Sequence, residues 1–164
     1  MSRPADTLAV TGRAQGAGGT DAARRQAYRL GIAGLIPFLL LSVLCVSLSG
    51  ELRQQAGQAL VAYGAVIAAF LGAWHWGAAI DAENREAVAA RMLFAVTPAL
   101  LGWLATLLPL FYGLVLVIAT LLLAWFADRR WIKGHAWYLV LRKRLTFVAS
   151  LSLAIAAISS LQEA

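Results

Sequence analysis

Four stretches of this chain contain no charged residue: 30–50, 54–80, 92–127 and 145–162. A helix rises about 1.5 Å per residue, and a hydrocarbon core of about 30 Å takes roughly 17–25 apolar residues to cross. Every one of the four meets that length. Lipid offers the backbone no hydrogen-bond partner, so a chain crossing it in such segments folds as helices. Charged residues make up 13% of the sequence, where a soluble domain carries about a quarter. The expected fold class is all-α, an integral membrane bundle.

The stretch 92–127 decides the number of spans. As one helix it would run about 54 Å, well beyond the bilayer. Pro109, in LLPLFYG, offers a break, and two shorter helices joined by a tight turn fit better. Charge provides a separate check. With five spans, thirteen of the fourteen Lys and Arg residues fall on one side and Arg53 alone on the other. With four spans they divide seven and seven. Membrane proteins concentrate short-loop Lys and Arg on the cytoplasmic side. Five spans are therefore expected, with the N-terminus inside and the C-terminus outside. The expected helices are about 28–49, 57–80, 91–108, 110–127 and 144–162, after a disordered tail over 1–27 that is rich in Ala, Gly and Arg. That tail lacks the apolar core of a signal peptide, and Asp6 and Asp21 argue against a transit peptide.

Within the second span lies FLGAWHWGAAI, residues 70–80, with His75 between Trp74 and Trp76. Gly64, Ala68, Gly72, His75 and Ala79 follow helical spacing and share one face. Ala65, Ala69, Ala73 and Gly77 form an adjacent stripe. Small faces allow membrane helices to approach closely. His75 is thus expected on a packed face, as an expensive intramembrane polar group requires. Trp74 and Trp76 sit at the depth of an aromatic belt. A histidine so placed is either hydrogen-bonded to another helix, part of a proton or solute pathway, or a haem or metal ligand. The only other histidine is His135, in a loop-like KGHAW segment. Asp81 lies too far round the helix. Asp128 and Arg142, at the inner ends of other helices, are the expected partners of His75.

Pro37 and Pro98 interrupt the first and third helices, and Thr97 is placed to satisfy a carbonyl that Pro98 frees. Residues 128–144 mix charge with Trp131, Trp137 and Tyr138 and read as an interfacial segment anchoring the last helix, with a lipid headgroup site as the alternative. Cys45 is the only cysteine, so no intrachain disulfide is possible; it reads as a small core residue. The net charge of +6 flanks membrane helices on one side, where anionic headgroups attract it, and is no nucleic-acid signature. The sequence has no zinc-type histidine–carboxylate spacing, no phosphate loop and no nucleophile elbow. No cofactor or metal is expected.

Four segments together, LGIAGLIPFLL (30–40), YGAVIAAFLGAWHWG (63–77), TPALLGWLATLLP (97–109) and WYLVLRKRLT (137–146), resemble the transmembrane protein 69-like family, also described as domain of unknown function 3429. The resemblance runs from about residue 28 onward. It implies a small inner-membrane protein in bacteria, with mitochondrial relatives in eukaryotes, and implies no activity. The candidate functional or helix-packing residues are Gly72, Trp74, His75, Trp76, Gly77, Pro98, Asp128, Arg142 and Thr146. The expected function is non-enzymatic: a multi-pass component of a bacterial inner membrane, packing with or assisting another membrane complex or a second copy of itself. The alternatives are a small transporter or channel with a pathway near His75, a haem-binding membrane protein, and a mitochondrial inner-membrane location.

Overall fold

A computed structural model describes residues 21–80, 85–132 and 136–161, with backbone alone for 85–87. Among these residues every regular element is a helix. Helix α1 covers residues 21–33 and belongs to a unit that ends at Gly34. The second unit holds α2 (Ile36–Ser47), α3 (Gly50–Ile80), α4 (Arg85–Leu107), α5 (Leu110–Trp131) and α6 (Ala136–Ser160). Four helical stretches are long and apolar enough to cross a membrane: Asp21–Ser47, Gly50–Ile80, Val88–Leu107 and Leu110–Trp131. Helix α6 is not among them. It contains Arg142, Lys143 and Arg144 near its start and four serines further on, which dilute its apolar run.

Several helices run past the ends of the uncharged stretches. Residues 21–27, expected in the tail, are helical, while the rest of that tail lies outside the described residues. Helix α3 begins at Gly50 and not near 57, because GELRQQAG contains strong helix formers. Only Leu48 and Ser49 separate α2 from α3, and Gly50 has φ of 57°, a backbone conformation that glycine adopts without strain. The same logic carries α5 past 127 to Trp131 and starts α6 at Ala136. The expected interfacial segment over 128–144 is therefore mostly helix.

Both proline breaks behave according to position. Pro37 falls in the first turn of α2, just after the chain leaves helix at Gly34–Leu35. Pro109 caps α5 after the chain turns at Leu108, as the length argument required. Pro98 is different, since α4 continues through it. Thr97 Oγ1 donates to Leu93 O at 3.0 Å. That is one carbonyl short of Phe94 O, which the missing proline N–H would have bonded.

Helix α3 is the central element, packed on α2, α4 and α5, while α6 packs on α2 and α5. The shared core holds Phe38, Leu60, Ala68, Leu114, Val117, Leu121 and Leu153. The face expected on α3 is buried throughout: Gly64, Ala68, Gly72, His75 and Ala79. A Cβ on Gly72 would overlap the carbonyl oxygen of Ala95, so glycine sets the distance between α3 and α4 there. Gly77 has open space around it. On the outside, large apolar side chains such as Phe70, Leu93, Trp103 and Phe147 are exposed, as a lipid-facing surface requires.

At the end of the bundle near Ser159, polar groups tie three helices. Ser159 Oγ donates to Cys45 O at 2.8 Å, and Arg53 reaches Leu48 O at 2.8 Å and Ser159 O at 3.3 Å. Cys45 itself is free and buried.

Gly72→Ala should destabilise the detergent-solubilised protein by roughly 1–3 kcal/mol, the usual cost of overpacking. Gly77→Ala should leave the midpoint unchanged or raise it slightly. Thermal unfolding followed by helix content measures both.

Candidate functional site

Three helices bring their polar residues together at the opposite end, near the exposed Arg129, Arg130, Lys143 and Arg144. His75 comes from the last turns of α3, Asp128 from the last turn of α5, and Arg142 from the second turn of α6. His75 Nε2 lies 3.0 Å from Asp128 Oδ1, and Arg142 Nε donates to Asp128 Oδ2 at 2.7 Å. The carboxylate thus accepts one bond on each oxygen. An ionised carboxylate has no proton to give, so the His75 Nε2 hydrogen makes the first bond. His75 is 0% exposed, Asp128 3% and Arg142 7%. Asp128 and Arg142 are the partners expected of His75, and Asp128 is the one in direct contact.

Aromatic rings enclose the imidazole. Phe94 of α4 meets it edge-on with centroids 5.1 Å apart, and Trp131 of α5 at 5.3 Å. Phe94 and Trp131 pack on each other at 5.0 Å. These apolar walls lower the local dielectric, which strengthens the charged hydrogen bonds and makes an unpaired group costly. Among the described residues, three buried nitrogens have no partner: His75 Nδ1, Arg142 Nη2 and Arg91 Nε. Arg91 reaches across to α3 through its Nη1, at 3.4 Å from Ala78 O.

The remaining candidates divide. Thr146 is buried one turn along α6 from Arg142, on the same face. Pro98 is fully buried in α4 beside Gly72. Trp74 and Trp76 are exposed on either side of the buried histidine, and Gly77 is exposed too. His135 and Asp81 lie outside the described residues. Phe94 and Arg91 were not among the candidates; an apolar ring in an apolar helix and an arginine at a helix start give no distinguishing signal. Tyr138 lies half-buried one turn before Arg142, and burial raises its phenol above the ordinary range, with Arg142 opposing and Asp128 adding. Among the described residues no three His, Cys, Asp or Glu side chains gather as a metal site.

A helical bundle with four helices apolar enough to cross a bilayer, an apolar exterior and a buried ion pair defines a membrane protein. The chain belongs to a family described as "Protein of unknown function (DUF3429)", whose model matches residues 23–158. It is 39% identical over 143 residues to "Transmembrane protein 69" of Xenopus tropicalis, a match covering 84% of this chain and 56% of that protein. The chain therefore spans little more than half the length of that relative. No solved structure matches it.

Removing one member of a buried pair strands the other. Asp128→Ala, leaving Arg142 unpaired, should cost about 3–5 kcal/mol. Pairing it with Arg142→Leu should recover most of that loss. Chemical denaturation in mild detergent, followed by circular dichroism, measures both. A loss under about 1 kcal/mol in the single variant, the scale of an exposed pair, would contradict this account.

Proposed function

We propose that this chain is a five-span protein of a bacterial inner membrane and a non-enzymatic component that packs with or assists another membrane complex. In this reading the basic end faces the cytoplasm, and the uncharged run 145–162 supplies the fifth span. The mitochondrial inner membrane is the alternative location. The observation that carries the reading is how the polar chemistry is used. His75, Asp128 and Arg142 are spent on one another inside the bundle, while the exterior offers broad apolar faces. Such a molecule has its chemistry committed to holding its own helices and its outer faces available to lipid or to a neighbouring membrane protein. Loops of a few residues at the α2–α3 and α4–α5 turns leave no room there for a folded domain.

A pathway for a solute or ion draws on one observation, the buried His75 Nδ1, which has no partner among the described residues. Flux into liposomes that disappears in His75→Gln would favour it over the assembly role.

Two experiments test the leading proposal. In a Cys45→Ser background, single cysteines at Ser49 and Leu161 should label from one side of intact membranes and one at Ile132 from the other; Ile132 labelling from the side of Ser49, or Leu161 from the side of Ile132, contradicts the five-span arrangement. Crosslinking in native membranes followed by affinity purification should return one reproducible membrane partner or a second copy. A chain that purifies as a monomer with no reproducible partner contradicts the assembly role.

A further inference from the structure

Helices α3 and α6 hardly touch, because α2 packs against both on one side and α5 on the other. The seam between them is bridged at the basic end by rings. Trp74 of α3 faces Tyr138 of α6 with centroids 6.3 Å apart and planes tilted by 33°, and Trp137 packs edge-on to Tyr138 at 6.0 Å. Trp74 is 56% exposed, although a tryptophan in the core of a bundle would be covered. One turn beyond Tyr138 on α6 lies the Arg142 guanidinium. Its Nε is committed to Asp128, and its Nη2 is buried without a partner among the described residues. Lys143 and Arg144 follow it, both exposed.

Each feature points to the same kind of ligand. A buried guanidinium N–H without an acceptor carries a full desolvation cost, which an anionic oxygen removes. The planar fork of arginine suits a phosphate, and Lys143 and Arg144 add positive charge beside it. Trp and Tyr rings sit where headgroup meets acyl chain. Asp128, the one acidic residue in 128–144, is already used by both His75 and Arg142, so the positive charge of that segment is largely unneutralised from within.

We infer that the basic end of the α3–α6 seam binds the phosphodiester of one anionic phospholipid. Arg142 Nη2 donates to a phosphate oxygen, and the rings of Trp74 and Tyr138 flank the glycerol. Nη2 is buried in this structure, so the side chains over it move aside as the phosphate arrives. The inference rests on the membrane reading above and deepens it from general attraction to a site.

The test is native mass spectrometry of the full chain in mild detergent, titrated with phosphatidylglycerol, phosphatidylcholine or inorganic phosphate. One phosphatidylglycerol should bind about tenfold more tightly than phosphatidylcholine, a factor of ten in the dissociation constant. Trp74→Leu, at an exposed position, should weaken it while leaving helix content unchanged. Arg142→Lys, which keeps the charge and loses the fork, should weaken it further. Equal binding of the two lipids overturns the inference. So does phosphatidylglycerol binding that neither variant changes, and so does inorganic phosphate displacing the lipid at equal concentration, which would mark a free-phosphate site. Extraction of membranes with alkaline carbonate separates the two readings. A chain that stays in the pellet but shows no lipid preference sinks the lipid site alone, and a chain that is extracted sinks the membrane reading with it.

Discussion

The two oxygens of Asp128 hold the basic end of the bundle together. One accepts from His75 of α3 and the other from Arg142 of α6, while Asp128 itself belongs to α5. Three helices therefore meet at one carboxylate. In an apolar setting such a group must be fully partnered or it destabilises the fold. The dependence is strongest for α6, the helix that falls outside the four apolar enough to cross a membrane by themselves. Polar bonds fix it at both ends, to Asp128 at one and through Ser159 to Cys45 and Arg53 at the other. Between those ends the contact is apolar and close, with Ala149, Leu153 and Ala156 in the core. Specific polar ends and a small-residue middle give a helix of modest hydropathy one position in the bundle.

The legible part of this structure was whatever periodicity and length govern. The spacing of Gly64, Ala68, Gly72 and His75 placed the histidine on a buried face, and the structure has it there. Splitting the long uncharged stretch at Pro109 set α5 and α6 so that Asp128 and Arg142 share an end with His75, which made them nameable as partners. Helix ends were not legible, because charge marks depth in a membrane and not the end of a hydrogen-bond ladder. Residues such as Glu51, Arg53 and Arg129 continue helices that an uncharged window would stop. Thr97 shows a finer limit, since a hydroxyl in a helix reaches the carbonyl four residues back, and here that is Leu93 and not Phe94. The ring enclosure by Phe94 and Trp131 depends on how α4 and α5 rotate against α3, which no single helix records.

The chain belongs to a family of unknown function and is 39% identical over 143 residues to a transmembrane protein. The basic end combines the internal Asp128 link with features that face outward. Trp74, Tyr138 and the exposed Lys143 and Arg144 lie next to buried Arg142, so one residue serves both the helix junction and the proposed lipid site. The same arrangement explains why the tryptophans beside His75 are not part of its enclosure: they face away while the imidazole faces in.

The central claim is that the His75 Nε2 proton is held by Asp128 in a buried site walled by Phe94 and Trp131. Nitrogen-15 magnetic resonance of histidine-labelled protein in bilayers reads this directly, with His135→Gln removing the only other imidazole signal. The expected spectrum shows a protonated Nε2 whose hydrogen exchanges slowly with water. A His75 ring protonated at Nδ1 alone, or one whose Nε2 hydrogen exchanges as fast as that of an exposed histidine, would contradict the account.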